Sequence, residues 1–209
     1  MVDLATHWHR EAVGTEASPG TNDRNTMRAA ATLYNKIVER FSDLDTMAFE
    51  NIDRRDWPNA YKIKYWYAEL LFKMDDWERC GTAFDAVVEA DANGAYVADA
   101  AYAAVLCYNN LYQAQNAQDD RTRRGPRTVS SGGASKAAGR PSEFAPRELT
   151  KLENGMLNAY TRYVCYVGQS NPNAEDLVTI KYRRARIYYE SNHFEEAAVI
   201  FRDIAWRHR

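Results

Sequence analysis

The chain has 209 residues, 45% of them hydrophobic and 12% aromatic, which supplies enough apolar material for a continuous core and excludes disorder of the whole. Its 27 Lys and Arg against 29 Asp and Glu leave a formal net charge of -2, so there is no general attraction to nucleic acid or to an anionic membrane, and a charge-driven partner must meet a local patch. No run approaches the roughly 18 apolar residues of a membrane span, and the opening "MVDLATHWHREAVG" lacks the apolar stretch of a signal peptide.

Helix signals dominate from the start. In "MRAAATLYNKIVERF", 27–41, Ala30, Tyr34 and Ile37 recur at helical spacing. Residues 58–73, "PNAYKIKYWYAELLFK", open with a proline suited to a helix's first turn and continue without glycine. After a short turn, "DWERCGTAFDAVVEA", 76–90, carries apolar residues at 77, 80, 84, 87 and 88. "DANGAY" stops that helix, and the alanine-rich "VADAAYAAVLCYNNLYQAQ" begins another, expected to end near Gln115. A further pair is read in "PRELTKLENGMLNAYTRYVCYVG" and "AEDLVTIKYRRARIYYES", with a turn at "QSNPN" between them. "HFEEAAVIFRDIAWRHR" is the last helix.

The stretches repeat one another. At an offset of 117, Tyr65 falls on Tyr182, Ala68 on Ala185, Phe72 on Tyr189, Trp77 on Phe194, Cys80 on Ala197, Phe84 on Phe201 and Val87 on Ile204. At an offset of 36, Ala68 falls on Ala104, Leu71 on Cys107 and Phe72 on Tyr108. Small residues let two helices approach, and aromatics fill the gap to the neighbouring pair, because one pair alone cannot bury that face. The expectation is an all-α solenoid of about four helix pairs across 1–209, its third pair interrupted by "NAQDDRTRRGPRTVSSGGASKAAGRPSEFAP", 116–146, a Gly-, Ser- and Arg-rich insertion read as a flexible loop.

Candidate chemistry is sparse. Cys80, Cys107 and Cys165 are odd in number, far apart and without a Cys-x-x-Cys pair, so they are read as small buried hydrophobes with no disulfide framework. His7 and His9 are two apart, against the three or four that favours zinc on a helix. No Gly-rich phosphate loop or nucleophile elbow appears, and the expectation is a non-enzymatic protein without cofactor.

The small residues at Ala68, Ala104 and Ala185, together with "WERC" (Trp77, Cys80) and "FEEA" (Phe194, Ala197) and the large residues Phe84 and Phe201, resemble the tetratricopeptide repeat. Departures are Asp75 and Asn192 where that family places glycine between the helices, and a missing closing proline. The resemblance implies a right-handed superhelix whose first helices line a concave protein-binding groove, here Lys62, Tyr65, Glu69 and Phe72, then Ala101, Val105 and Tyr108, then Tyr182, Arg186 and Tyr189. The Lys and Asn set with which chaperone-binding members hold a terminal carboxylate is not evident in this register. At whole-chain level the sequence is similar to the bacterial envelope tetratricopeptide lipoproteins of the myxobacterial gliding-machinery type, which implies a periplasmic scaffold at the outer membrane within a multi-subunit complex. The runner-up is a helical repeat that binds phosphate or RNA through Arg121, Arg123, Arg124 and Arg127 of the insertion. The apolar Ile204 and Trp206 on the last helix lead to one more expectation, that a further repeat or another subunit covers them.

Overall fold

A computed structural model describes residues 1–41, 44–47, 57–123, 144–171 and 173–207; the side chains of 118–123 and 170 are not described. The described residues are all-helical apart from a two-residue hairpin: α1 (Val2–Val13), β1 (Gly14–Thr15), β2 (Ser18–Pro19), α2 (Arg24–Arg40), α3 (Ala60–Lys73), α4 (Trp77–Ala90), α5 (Val97–Arg123), α6 (Lys151–Ser170), α7 (Glu175–Glu190) and α8 (Phe194–Arg207). The contacts divide the chain into two compact units, Met1–Tyr108 and Asn109–Arg209, and α5 contributes to both.

In the first unit α1 packs on α2, α2 on α3 and α3 on α4. Helix α1 buries Val2, Ala5, His9 and Ala12, and α2 answers with Met27, Ala30, Ala31, Tyr34 and Ile37; both sets follow the three-and-four spacing of one helix face. Between them Gly14 adopts φ 96°, and a Cβ there would lie 2.5 Å from the Gly20 nitrogen, so only glycine fits this corner. Helix starts are capped by short acceptors. The Asp23 carboxylate accepts from the Thr26 N–H at 2.8 Å, and the Asn59 side chain accepts from the Lys62 N–H at 2.8 Å; each cap typically contributes about 1 kcal/mol. Asn59, not Pro58, therefore sets the entry to α3.

The α3–α4 connection carries the repeat's geometry. Asp75 takes the left-handed φ of 57°, its N–H donates to the Phe72 carbonyl at 3.1 Å, and the Asp76 N–H donates to the Leu71 carbonyl at 2.9 Å. That is a Schellman closure, which satisfies the last carbonyls of α3. Asp76 then caps α4, so three residues reverse the chain. Edge contacts pair Phe72 with Trp77 at 5.3 Å and Tyr65 with Phe84 at 6.0 Å, an end-to-start and start-to-end match that makes α3 and α4 antiparallel.

The second unit repeats this turn. Asn192 has φ 61°, its N–H donates to the Tyr189 carbonyl at 3.1 Å, and the His193 N–H donates to the Tyr188 carbonyl at 2.8 Å. Tyr189 meets Phe194 at 5.4 Å and Tyr182 meets Phe201 at 5.8 Å, the same two aromatic pairs 117 positions on. The small slots agree too: Ala68, Ala185 and Cys80 are fully buried, and Ala104 and Ala197 nearly so. Before α6, residues 145–147 are fastened to the α7–α8 turn: Asn192 Nδ2 donates to the Ala145 carbonyl at 3.0 Å, and the Arg147 N–H donates to the Ser191 carbonyl at 2.9 Å. A capping box, Thr150 with Glu153, opens α6.

Two expectations are corrected. Cys80 and Cys107 are joined in a disulfide with Cα atoms 5.7 Å apart, linking α4 to α5, and Cys165 is exposed rather than buried. Cysteines separated by 27 positions face each other because α5 folds back over α4, a tertiary relationship that spacing does not encode. Helix α5 also runs on to Arg123 instead of stopping near Gln115, since "NAQDDRTR" contains no helix breaker and the first one is Gly125. The rest of the expected insertion from residue 124 to 143 lies outside the described residues.

Candidate functional site

The residues expected on a groove are distributed unevenly. In α3 each is engaged by neighbours. Lys62 sits over the Trp66 ring at 5.0 Å, Tyr65 stacks on Tyr96 at 4.4 Å, Glu69 lies 3.9 Å from His9 Nε2, and Phe72 packs on Trp77. Burial pushes the Tyr65 hydroxyl up to about 12, with the charges of Glu69 and Asp99 adding to it. Tyr108 is only 8% exposed; its ring covers Gly81, where an added Cβ would come within 2.7 Å, and its hydroxyl donates to the Asp85 carboxylate at 2.8 Å. It is a core residue.

On α7 the outcome differs. Tyr182 and Tyr189 are 52% and 58% exposed, and Arg186 is exposed with its Nε donating to Glu190 at 2.6 Å. Arg121 and Arg123 fall in the last turns of α5 without described side chains, and Arg124 and Arg127 lie outside the described residues.

Within the second unit α5, α6 and α7 enclose a cleft of about 270 Å³. Helix α5 supplies Asn109, Tyr112 and Gln113, α6 supplies Glu153, Met156 and Tyr160, and α7 supplies Arg183, Arg186, Ile187 and Glu190. Each set is three or four residues apart, so each is one helix face. Arg186 alone was expected at a binding surface; the cleft gathers it with residues that no local pattern singles out.

The cleft's polar groups are mostly spoken for. The Tyr160 hydroxyl donates to Asn109 Oδ1, and its own pKa is pushed to about 12 chiefly by burial. Arg147 holds Glu153 with two hydrogen bonds, 2.9 and 2.7 Å, and the Thr150 N–H adds a third at 2.8 Å, which brings the Glu153 carboxyl down to about 2. Arg186 holds Glu190. Two groups remain. Asn109 is 9% exposed and its Nδ2 has no hydrogen-bond partner, while Arg183, among the described residues, forms no ion pair. A buried donor without an acceptor costs about 1–3 kcal/mol, so this amide is an opening for a ligand atom.

By fold and site this is an all-helical protein of recurring antiparallel pairs, with an exposed aromatic face and a small polar cleft. No protein-family model, no curated protein and no solved structure matches the chain. Among the described residues no helix is long and apolar enough to cross a membrane.

Proposed function

We propose that the chain is a non-enzymatic scaffold whose helix pairs continue as a right-handed tetratricopeptide-like solenoid and bind a peptide or helix of another protein. The observation that carries the reading is the duplicated hairpin: the same left-handed residue, the same closing hydrogen bonds and the same two aromatic pairs in α3–α4 and α7–α8. Recurrence of a unit that cannot bury its own face belongs to proteins that work by extended surface rather than by a single reactive centre. Tyr182, Tyr189 and Arg186 support a contact face on α7, since Tyr and Arg are enriched among residues that carry binding energy. Lys62, Tyr65, Glu69 and Phe72 are the corresponding set on α3, partly shielded by their ring partners.

The assembly we have in mind is a cell-envelope complex of the motility or outer-membrane type. The Cys80–Cys107 bond supports an oxidising compartment such as the periplasm, where disulfides persist. The test is photo-crosslinking in cells, with a reactive benzophenone residue placed at Tyr182, Tyr189 or, as a control on α2, at exposed Lys36. A common protein species captured from 182 and 189 but not from 36 supports the scaffold. Retention of RNA that disappears when Arg121, Arg123, Arg124 and Arg127 are neutralised, with no protein captured, would overturn it in favour of electrostatic binding by the insertion.

A further inference from the structure

We infer that the α5–α6–α7 cleft binds the carboxylate of an acidic side chain that stands next to an apolar residue on a partner's peptide. This rests on the scaffold reading and names the chemistry of one of its surfaces. Three features of the cleft lead to it.

The first is Asn109. Its oxygen is used by the Tyr160 hydroxyl, so the amide is held with its Nδ2 hydrogens unpaired at a wall of the cleft. What satisfies it must be an acceptor. The second is charge. Glu153 is neutralised by Arg147 and Glu190 by Arg186, which leaves Arg183 as a single uncompensated cation. One uncompensated cation balances a monoanion, whereas a phosphate ester, carrying about -1.5 to -2, would leave negative charge without a counter-charge in the cleft. A guanidinium also matches the planar fork of a carboxylate.

The third is size and wall chemistry. About 270 Å³ lies just below the roughly 300–1,000 Å³ of sites that take drug-sized ligands, so the cleft suits a side chain and its neighbour rather than a cofactor. Met156, Ile187 and the rings of Tyr112 and Tyr160 provide apolar surface for the methylene stem and the adjacent apolar residue. An acidic residue beside an apolar one uses every element: amide, cation and wall.

The experiment is a titration of the full chain, labelled with 15N, in which the Asn109 side-chain amide signals are identified by their loss in Asn109→Leu. The probes are N-acetyl-Glu-Leu-amide, its Gln-Leu counterpart and free pentanoate. The expected result is a saturable shift of the Asn109 signals by the Glu peptide, at half-saturation at least tenfold below that of the other two probes. Arg183→Gln, at an exposed position, should raise that half-saturation at least fivefold while the remaining spectrum stays native. Equal responses to the Glu and Gln peptides, or no effect of Arg183→Gln, overturn the pocket. Pentanoate binding as tight as the Glu peptide overturns the peptide assignment in favour of a free carboxylate. The scaffold reading fails separately: crosslinks from Tyr182 and Tyr189 without any peptide response remove the pocket alone, whereas a peptide response without crosslinks removes the scaffold alone.

Discussion

Asp75 and Asn192, 117 positions apart, occupy the same left-handed backbone conformation, φ 57° and 61°, and close their helices with the same pair of hydrogen bonds. Aspartate and asparagine are the non-glycine residues that tolerate this region, whereas an alanine there costs about 1–2 kcal/mol. Asn192→Ala should therefore lower stability by about 1–2 kcal/mol, losing both the turn preference and the bond to the Ala145 carbonyl. Asn192→Gly restores the turn and should recover at least half of that loss in denaturant melts. Glycine performing no better than alanine would show that the tether, not the turn, carries the residue.

The disulfide gives a chemical count. Thiol labelling of the unfolded, unreduced protein should find one free cysteine, Cys165, and three after reduction. Closing a loop of 27 residues removes enough unfolded-chain entropy to stabilise the fold by about 3–4 kcal/mol on the loop-entropy model, so Cys80→Ala or Cys107→Ala should lower the melting temperature markedly. Three titratable thiols before reduction would refute the bond.

Small slots should resist enlargement. Gly81→Ala places a methyl against the Tyr108 ring, whose hydroxyl is anchored on Asp85, so overpacking of about 1–3 kcal/mol should outweigh the roughly 1 kcal/mol gained in helix propensity. Ala185→Leu, at a fully buried position, should melt the α7–α8 pair by the same mechanism. Hydrogen exchange localises each effect; tolerance of both changes would remove the close helix approach from the account.

Acid should loosen the first unit. His9 is buried against Tyr34, Trp66 and Glu69, and desolvation above all, aided by the charges of Lys73 and Arg10, lowers its pKa from 6.5 to about 4. The unfolded chain then binds a proton that the folded chain refuses, so stability is intact above about pH 6.5 and falls as pH drops towards 4, by about 2 kcal/mol at pH 5. Glu69, whose pKa burial raises, takes up a proton on folding and offsets part of this as pH nears its folded pKa. His9→Phe should flatten the slope of melting temperature between pH 7 and 5, and an unchanged slope would clear His9 of the effect.

How much of this could be read beforehand depends on whether the cause was local. Helix identity, the buried Ala68 and Ala185, and the aromatic partners of Tyr65 and Tyr182 all follow from spacings within one hairpin. Asp75 and Asn192 looked like departures from a glycine rule, although their residue types already permit the turn that glycine permits. The disulfide and the cleft were not legible: Cys80 meets Cys107, Asn109 meets Tyr160, and Asn109 and Arg183 line one cleft, only through helix packing across long separations. The sole cue was weak, an α7 face repeating Arg183, Arg186, Ile187 and Glu190 that periodicity could mark as shared but not as facing anything.

The covalent link between α4 and α5 also bears on how the protein behaves under tension. Pulled from its ends, a chain without the bond would release the whole stretch between the two cysteines, on the order of 90 Å of contour at about 3.4 Å per residue for a separation of 27. With the bond intact that length stays locked while the surrounding helices unravel, so the oxidised protein yields a shorter extension at each unfolding event than its reduced form.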